Sequence, residues 1–216
     1  LFVFSVAGQT TFWEKAAFMT AASRSLPAGT RGRGRPRSFD RDAALSRALE
    51  LFWKRGYEPV SVAELCTAMG INAPSLYAAF GSKAGLFLEA VNYYEQRYWT
   101  EPSRRFMEEK DFYQAVRNFF SEAARILLSP DTPCGCMVVL AAVNISEQEE
   151  DIIRTLQRLR FGTRQMFAER IRQAVADEQL PADTEADVLA GVFNMFLEGM
   201  SLQARDGMSA AELEET

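Results

Sequence analysis

Histidine does not occur in the 216 residues. Its absence removes the Ser/His/Asp and Cys/His nucleophilic arrangements and every zinc site that needs imidazole. No paired-carboxylate or phosphate-loop motif replaces them, so no enzymatic activity, metal or cofactor is expected. Cysteine is scarce: Cys66, Cys134 and Cys136 are too few, and odd in number, for a disulfide-stapled secreted scaffold, and a reducing compartment suits them better. Long apolar runs are missing as well. The stretch Leu1 to Ala7 is too short for a signal-peptide core and has no basic segment before it, and no later run reaches the length of a membrane span. A cytoplasmic location without membrane contact is the expectation.

What the chain does have is apolar material, at 48% enough for a substantial buried core, and an uneven charge. The formal charge is −5 overall, yet Arg24 to Lys83 carries ten Lys/Arg against five Asp/Glu, while 84–216 carries thirteen against twenty-three. A basic N-terminal part before an acidic body points to different partners at the two ends.

Residues 1–37 read as an extension without periodicity, ending in the basic arm Arg31-Gly-Arg33-Gly-Arg35-Pro-Arg37, whose glycines and proline prevent a helix. Met19 is a plausible start within it. From Asp40 the period becomes helical. Leu45, Ala48, Leu49 and Phe52 fall at i, i+3, i+4 and i+7, and Gly56 stops the run. Ser61 and Glu64 form a capping-box pattern for a short second helix ending at Met69, and Gly70 supplies a left-handed turn. Asn72 caps a third helix with Pro74 in its first turn, and Ser82 caps a long fourth reaching about residue 100. The body, 85–216, continues with helices at about Phe112 to Leu128, Glu147 to Glu178, and from Asp183 or Thr184 onward. Strand-like alternation is nowhere visible. A last capping box at Ser209 and Glu212 announces a helix with few residues left to form it, so the body reads as truncated.

Residues 56–83 have the mechanics of a helix-turn-helix: small Cys66 permits close approach, Gly70 turns the chain and Ile71 plugs the gap. With the Leu-Tyr-x-x-Phe run of Leu76 to Phe80 and the Ser82-Lys83 opening of helix four, residues 37–90 resemble the DNA-binding head of the tetracycline-repressor (TetR) family. The resemblance implies an all-α fold in which a three-helix head, 38–84, is joined by the long fourth helix to a helical ligand-binding and dimerisation body. It implies a homodimer that binds double-stranded DNA at an inverted-repeat operator, released by a small-molecule effector. By position, Ser61, Tyr77 and Lys83 would meet phosphates. Val62, Ala63, Asn72, Ala73, Pro74, Ser75 and Ala78 would lie at or near base edges. Alanines and a proline can touch a thymine methyl but cannot make a bidentate contact, so direct readout is thin. Arg33, Arg35 and Arg37 could supply the rest from the narrow A·T minor groove, or act as a linker touching phosphates without preference.

In the body, Val188, Val192, Met195, Phe196 and Gly199 belong to a helix apolar nearly all round, which therefore needs a second molecule or a wholly internal position. Tyr94, Trp99, Phe119, Phe120, Phe161, Met166 and Phe196 are candidate pocket residues, though helical spacing alone explains such residues as core. Cys134 and Cys136 could form a thiol or soft-metal sensor, or be small residues buried at a helix start. An effector-free binder of A·T-rich DNA is the further alternative. Deleting 1–36 should lower operator affinity, and lower it more on A·T-rich than on G·C-rich flanks if the arm enters the minor groove. Equal loss on both flanks, read by titration of labelled duplexes, would leave the arm a phosphate-binding cation.

Overall fold

Asp40 accepts hydrogen bonds from the amides of Asp42 and Ala43 and so opens the first helix of the computed structural model, which describes residues 39–215. Every regular element among them is helical. Helix α1 (Arg41–Arg55) buries Leu45, Ala48, Leu49 and Phe52, the stripe read from the spacing, and stops at Gly56, whose φ of 84° favours glycine. In α2 (Val62–Met69) both halves of the capping box form, and Gly70 adopts the left-handed conformation. Helix α3 (Ala73–Phe80) starts on the Asn72 cap with Pro74 in its first turn and buries Leu76 and Phe80. Helix α4 (Lys83–Tyr94) follows a Ser82 cap. A Cβ on Gly85 would stand 2.4 Å from the Phe80 carbonyl, so only glycine lets α4 begin this close to the end of α3.

The long helix differs from the expectation in one respect. It does not end near residue 100 but widens into a π-turn over Glu95–Trp99 and continues as α5 (Thr100–Glu108). The amide of Thr100 donates to the Glu95 carbonyl five residues back. Pro102 is the physical cause: it has no N–H for the Tyr98 carbonyl, and its ring clashes with a carbonyl four residues earlier, so the preceding turn widens.

The body is completed by α6 (Phe112–Leu127), the short α7 (Met137–Leu140), α8 (Glu150–Ala176), α9 (Ala186–Arg205) and α10 (Ala210–Glu215). Helix α8 starts three and stops two residues inside the expected limits, and α9 starts two or three residues later than expected. A buried arginine ties α8 to α5: Arg170, 2% exposed, donates to the carbonyls of Phe106 and Glu109 at the end of α5. A cation suits that place, where unmatched carbonyls collect. Phe106, Phe119, Phe120, Phe167 and Phe193 pack on one another with ring centroids 5.0 to 6.0 Å apart. Among the described residues no helix is long and apolar enough to cross a membrane.

Glu95 opens the π-turn, and burial pushes its carboxyl up to about 8. Tyr94 and Cys136 are the titratable groups that interact with it. An acid whose folded pKa lies above its unfolded value of about 4.5 holds its proton better when folded. Stability therefore falls as pH rises from about 4.5 to 8 and is level beyond. Glu95→Gln removes that loss. The variant should melt higher than the parent at pH 8.5, by up to about 3 kcal/mol more than at pH 5.5, at about 1.4 kcal/mol per unit. An equal effect at both pH values in paired thermal melts would show that Glu95 is ionised throughout.

Candidate functional site

The start of α3 stands free of the core. Asn72, Pro74 and Ala78 are exposed, Ala73 and Ser75 are partly so, and Tyr77 is 49% exposed although its neighbour Leu76 is fully buried. Across the turn, Ser61 and Ala63 of the α2 start are exposed and Val62 is half-buried. Two residues already have occupations within the fold. The Ser61 hydroxyl donates to Glu64 at 2.7 Å, and Asn72 Oδ1 accepts from the Ser75 amide at 2.9 Å. Glu64 is thereby held near pKa 2, chiefly by the Ser61 backbone N–H and then by Arg55. Lys83 departs most from its expected place. Its Nζ lies 4.2 Å from the centroid of the Tyr57 ring and donates to the Glu58 carbonyl at 3.3 Å, and burial lowers its pKa. Arg33, Arg35 and Arg37 lie outside the described residues.

The body residues fall into three groups. Tyr94, Trp99, Phe119 and Met166 are buried; Phe120 and Phe196 are half-buried and meet edge to face at 5.1 Å. Phe161 is not with them. It is 61% exposed and lines an open groove of about 620 Å³ with Leu88, Asp151, Thr155 and Arg158. On α9 the outer side carries Val188, Val192 and Met195, exposed at 60%, 50% and 65%, with Leu202 at 51% and Gly199 open beside them. Phe196, read both as pocket and as interface, faces the body because its ring packs on Phe120. Phe193 likewise packs inward, on Phe120 and Phe167.

Head and body are laced together at one end of α1. Trp53 Nε1 donates to the Gly135 carbonyl at 2.7 Å, the Tyr57 amide to the Ala141 carbonyl at 2.7 Å, and the Tyr57 hydroxyl to Glu149 at 2.7 Å. The Ser146 amide donates to Glu58 at 2.8 Å. The Trp53 ring also packs on Tyr94 at 4.7 Å and Tyr98 at 5.4 Å. Cys134 is exposed and Cys136 half-buried. Burial pushes the Cys136 thiol up to about 11, opposite to the shift that activates a cysteine.

Beyond Trp53 lies a buried polar cluster. The Tyr94 hydroxyl faces Trp99 and the Cys136 thiol, although neither Tyr94 Oη nor Trp99 Nε1 makes a full hydrogen bond among the described residues.

Comparison with known proteins places this arrangement. Residues 44–90 match the family described as "Bacterial regulatory proteins, tetR family", and residues 113–215 match "Tetracyclin repressor-like, C-terminal domain". The chain is 36% identical over 193 residues to the HTH-type transcriptional repressor ComR of Escherichia coli K12, covering 89% of this chain and 92% of ComR. The chain belongs to the TetR family. A second relative from the same organism, the repressor BdcR, is 32% identical over 83% of this chain and 86% of its own. The TetR family regulator CifR, solved as a cysteine mutant with a 26-bp operator DNA, is 40% identical with a TM-score of 0.81, over 84% of this chain and 95% of that one. The reduced form of NemR from E. coli, 18% identical at a TM-score of 0.67, shares the fold.

As a TetR protein the chain is a DNA-binding transcriptional regulator and not an enzyme. Sequence reasoning missed the ties between head and body. No local pattern announces that Trp53 will find Gly135 82 positions away. The π-turn had a signal, Pro102 inside an otherwise helical run, which was available and unused.

Proposed function

We propose that this TetR protein is a cytoplasmic repressor that binds an inverted-repeat operator as a homodimer and leaves it when a small molecule occupies the body. The exposed start of α3 carries the DNA half of the reading. A capped helix presents Asn72, Ala73, Pro74, Ser75 and Ala78 at its first turns, with Tyr77 beside them and Ser61, Val62 and Ala63 across the turn. Direct base contacts from these residues are few and apolar, so phosphate contacts and DNA shape supply most of the affinity.

The dimer half rests on spacing. Val188, Val192, Met195, Gly199 and Leu202 follow one another at intervals of 4, 3, 4 and 3, the repeat of a helix seam that packs on a second helix. All five are exposed in the single chain. Gly199, with nothing within 4 Å of a built Cβ, lets a partner helix come close. An isologous contact of this kind gives the two-fold axis that an inverted repeat requires.

A thiol or metal sensor at Cys134 and Cys136 is less well supported. The Cys136 thiol is raised, and the described residues contain no group of three His, Cys, Asp or Glu able to hold a metal ion. The effector-free, A·T-rich alternative rests on an arm outside the described residues.

Two measurements test these roles. Tyr77→Phe should weaken every operator variant by about 1 kcal/mol without changing base preference, the loss of one phosphate hydrogen bond. Lys83→Ala should reduce the slope of log affinity against log salt by about 1 if Nζ swings from Tyr57 to a phosphate. An unchanged slope would show that Lys83 stays on Tyr57. For the seam, Val192→Glu and Met195→Glu place a charge where the single chain is exposed, so each variant should keep its helicity and sediment as a monomer with operator binding lost. A folded variant that still dimerises and binds would remove α9 from the interface.

A further inference from the structure

Lys83 is the first residue of α4, a cation placed where a helix has its positive end. Its own helix therefore gives the ammonium no favourable seat, and the side chain folds back onto the head. There Nζ lies 4.2 Å from the centroid of the Tyr57 ring and donates to the Glu58 carbonyl at 3.3 Å. Both of these residues are held by one short stretch of the body. The Tyr57 hydroxyl donates to Glu149 at 2.7 Å, and the Glu58 carboxylate accepts from the Ser146 amide at 2.8 Å. The bonds by which residues 146–149 grip the head thus end on the two residues that occupy the ammonium.

Glu149 has an alternative that it does not take. It stands at the N-cap of α8, where the unmatched amides and the dipole of that helix would welcome a carboxylate, yet it makes no capping bond and reaches across to Tyr57 instead. The effect falls on the ring. A phenol that donates to a carboxylate is polarised toward its oxygen and ring, and the negative face of the ring attracts a cation more strongly. Burial works against the charged form of Lys83, and the charges of Glu58, Glu149 and Glu64 oppose that loss. Tyr57 is 2% exposed, so an ammonium resting on its ring is turned toward the protein and must leave that seat to meet a backbone phosphate.

We infer that Glu149 withholds Lys83 from DNA: acting through the Tyr57 ring, this residue of the body competes with a backbone phosphate for the ammonium at the start of α4. The inference rests on the reading of Lys83 as a phosphate contact and adds the body's control over it. Glu149 is a positioning residue, since it touches Tyr57 and not the duplex. Seating of residues 146–149 on the head holds the ammonium inward, and their retreat frees it, so the place of the α8 start sets the charge that the head presents. A bond that served stability alone would have no such effect. Cutting this one should tighten DNA binding, and the gain should pass through Lys83.

The test uses the full chain and a labelled duplex selected from a random pool by the parent protein, with affinity read by anisotropy over a range of salt concentrations. Glu149→Gln keeps an acceptor for the Tyr57 hydroxyl and removes the charge. It should bind the duplex about two- to fivefold more tightly for each head, the strength of one exposed cation–π contact. Its slope of log affinity against log salt should steepen by up to about 1 for each ammonium released. Tyr57→Phe keeps the ring, cuts the bond to Glu149 and should act in the same direction. Glu147→Gln, an exposed acid two residues away, should leave affinity unchanged. In a Lys83→Ala background the Glu149→Gln gain should vanish. Thermal melts identify the variants that are folded at the assay temperature. Unchanged or weaker binding by folded Glu149→Gln and Tyr57→Phe proteins overturns the inference. A gain that persists beside Lys83→Ala overturns it too, because Glu149 would then repel the duplex as any nearby acid does, and the Lys83 contact would stand. Should Lys83→Ala change neither affinity nor salt slope, alone or beside Glu149→Gln, the phosphate reading of Lys83 falls and the inference with it, while operator binding by the rest of the head remains.

Discussion

The Trp53 indole is the contact on which the relation of head to body depends. Its N–H is spent on the Gly135 carbonyl, its ring on Tyr94 and Tyr98, and it sits near the end of α1, three residues before the Gly56 stop. The neighbouring bonds from Tyr57 to Ala141 and Glu149, and from Ser146 to Glu58, all join the same short stretch of the head to residues 135–149. Gly56 belongs to this arrangement too, since a Cβ there would approach the Ala141 carbonyl to 3.0 Å. A flexible tether would let the head turn freely and make its position useless as a signal. Directional bonds at several points fix the head against the body in one defined position, so that its position can carry a signal.

The long helix contributes the other half of that restriction. Its N-terminus, capped by Ser82, follows the end of α3 directly, and its far end enters the aromatic core through the π-turn. A straight α-helix would transmit any movement at Trp99 to Lys83 as a rigid rod. The widened turn that Pro102 imposes leaves the rod intact on the head side but loosens its seating where Tyr94, Glu95 and Trp99 meet the body. The Tyr94 hydroxyl, the Trp99 indole N–H that faces it and the raised Glu95 carboxyl are gathered there. Elsewhere in the body the Arg170 guanidinium caps the end of α5 through Nε and Nη2, while its Nη1 has no hydrogen-bond partner among the described residues.

Much of this was legible in the sequence, and the limits were physical. The head was readable because each of its signals is local: Asp40, Ser61, Asn72 and Ser82 cap helices within their own next three residues, and Gly56 and Gly70 end them. The last capping box behaved likewise, with Ser209 and Glu212 opening α10. Side-chain direction in the body was not local. Phe193 and Phe196 sit on the same apolar helix as Val192 and Met195, and their periodicity alone could not say which pair faces Phe120 and which faces outward. Phe161 illustrates the same limit from α8, an aromatic residue that pattern assigned to the interior and the fold leaves 61% exposed. Lys83 shows a third kind: its position at the start of α4 was correct, while its ammonium group was captured by Tyr57 and the Glu58 carbonyl, partners far away in sequence.

The charge division gives the switch its economy. The basic excess over Arg24 to Lys83, ten against five, is carried by the five arginines before residue 38, the head 38–84 has five of each sign, and the body has thirteen against twenty-three, so the arm is drawn to the duplex while the body is repelled by it. Two heads held at the right separation gain both sets of phosphate contacts; two heads held at a wrong separation gain one set and keep the repulsion. The difference between those states does not require the protein to unfold or the dimer to part. A ligand that binds one head separation better than the other shifts the population by its differential affinity and by no more. On the proposed reading, in which Ala73, Pro74 and Ala78 meet the bases, the affinity to be lost resides in phosphate geometry. That geometry is the quantity most sensitive to a change in head separation, so thin direct readout and release by a small displacement are consequences of one design.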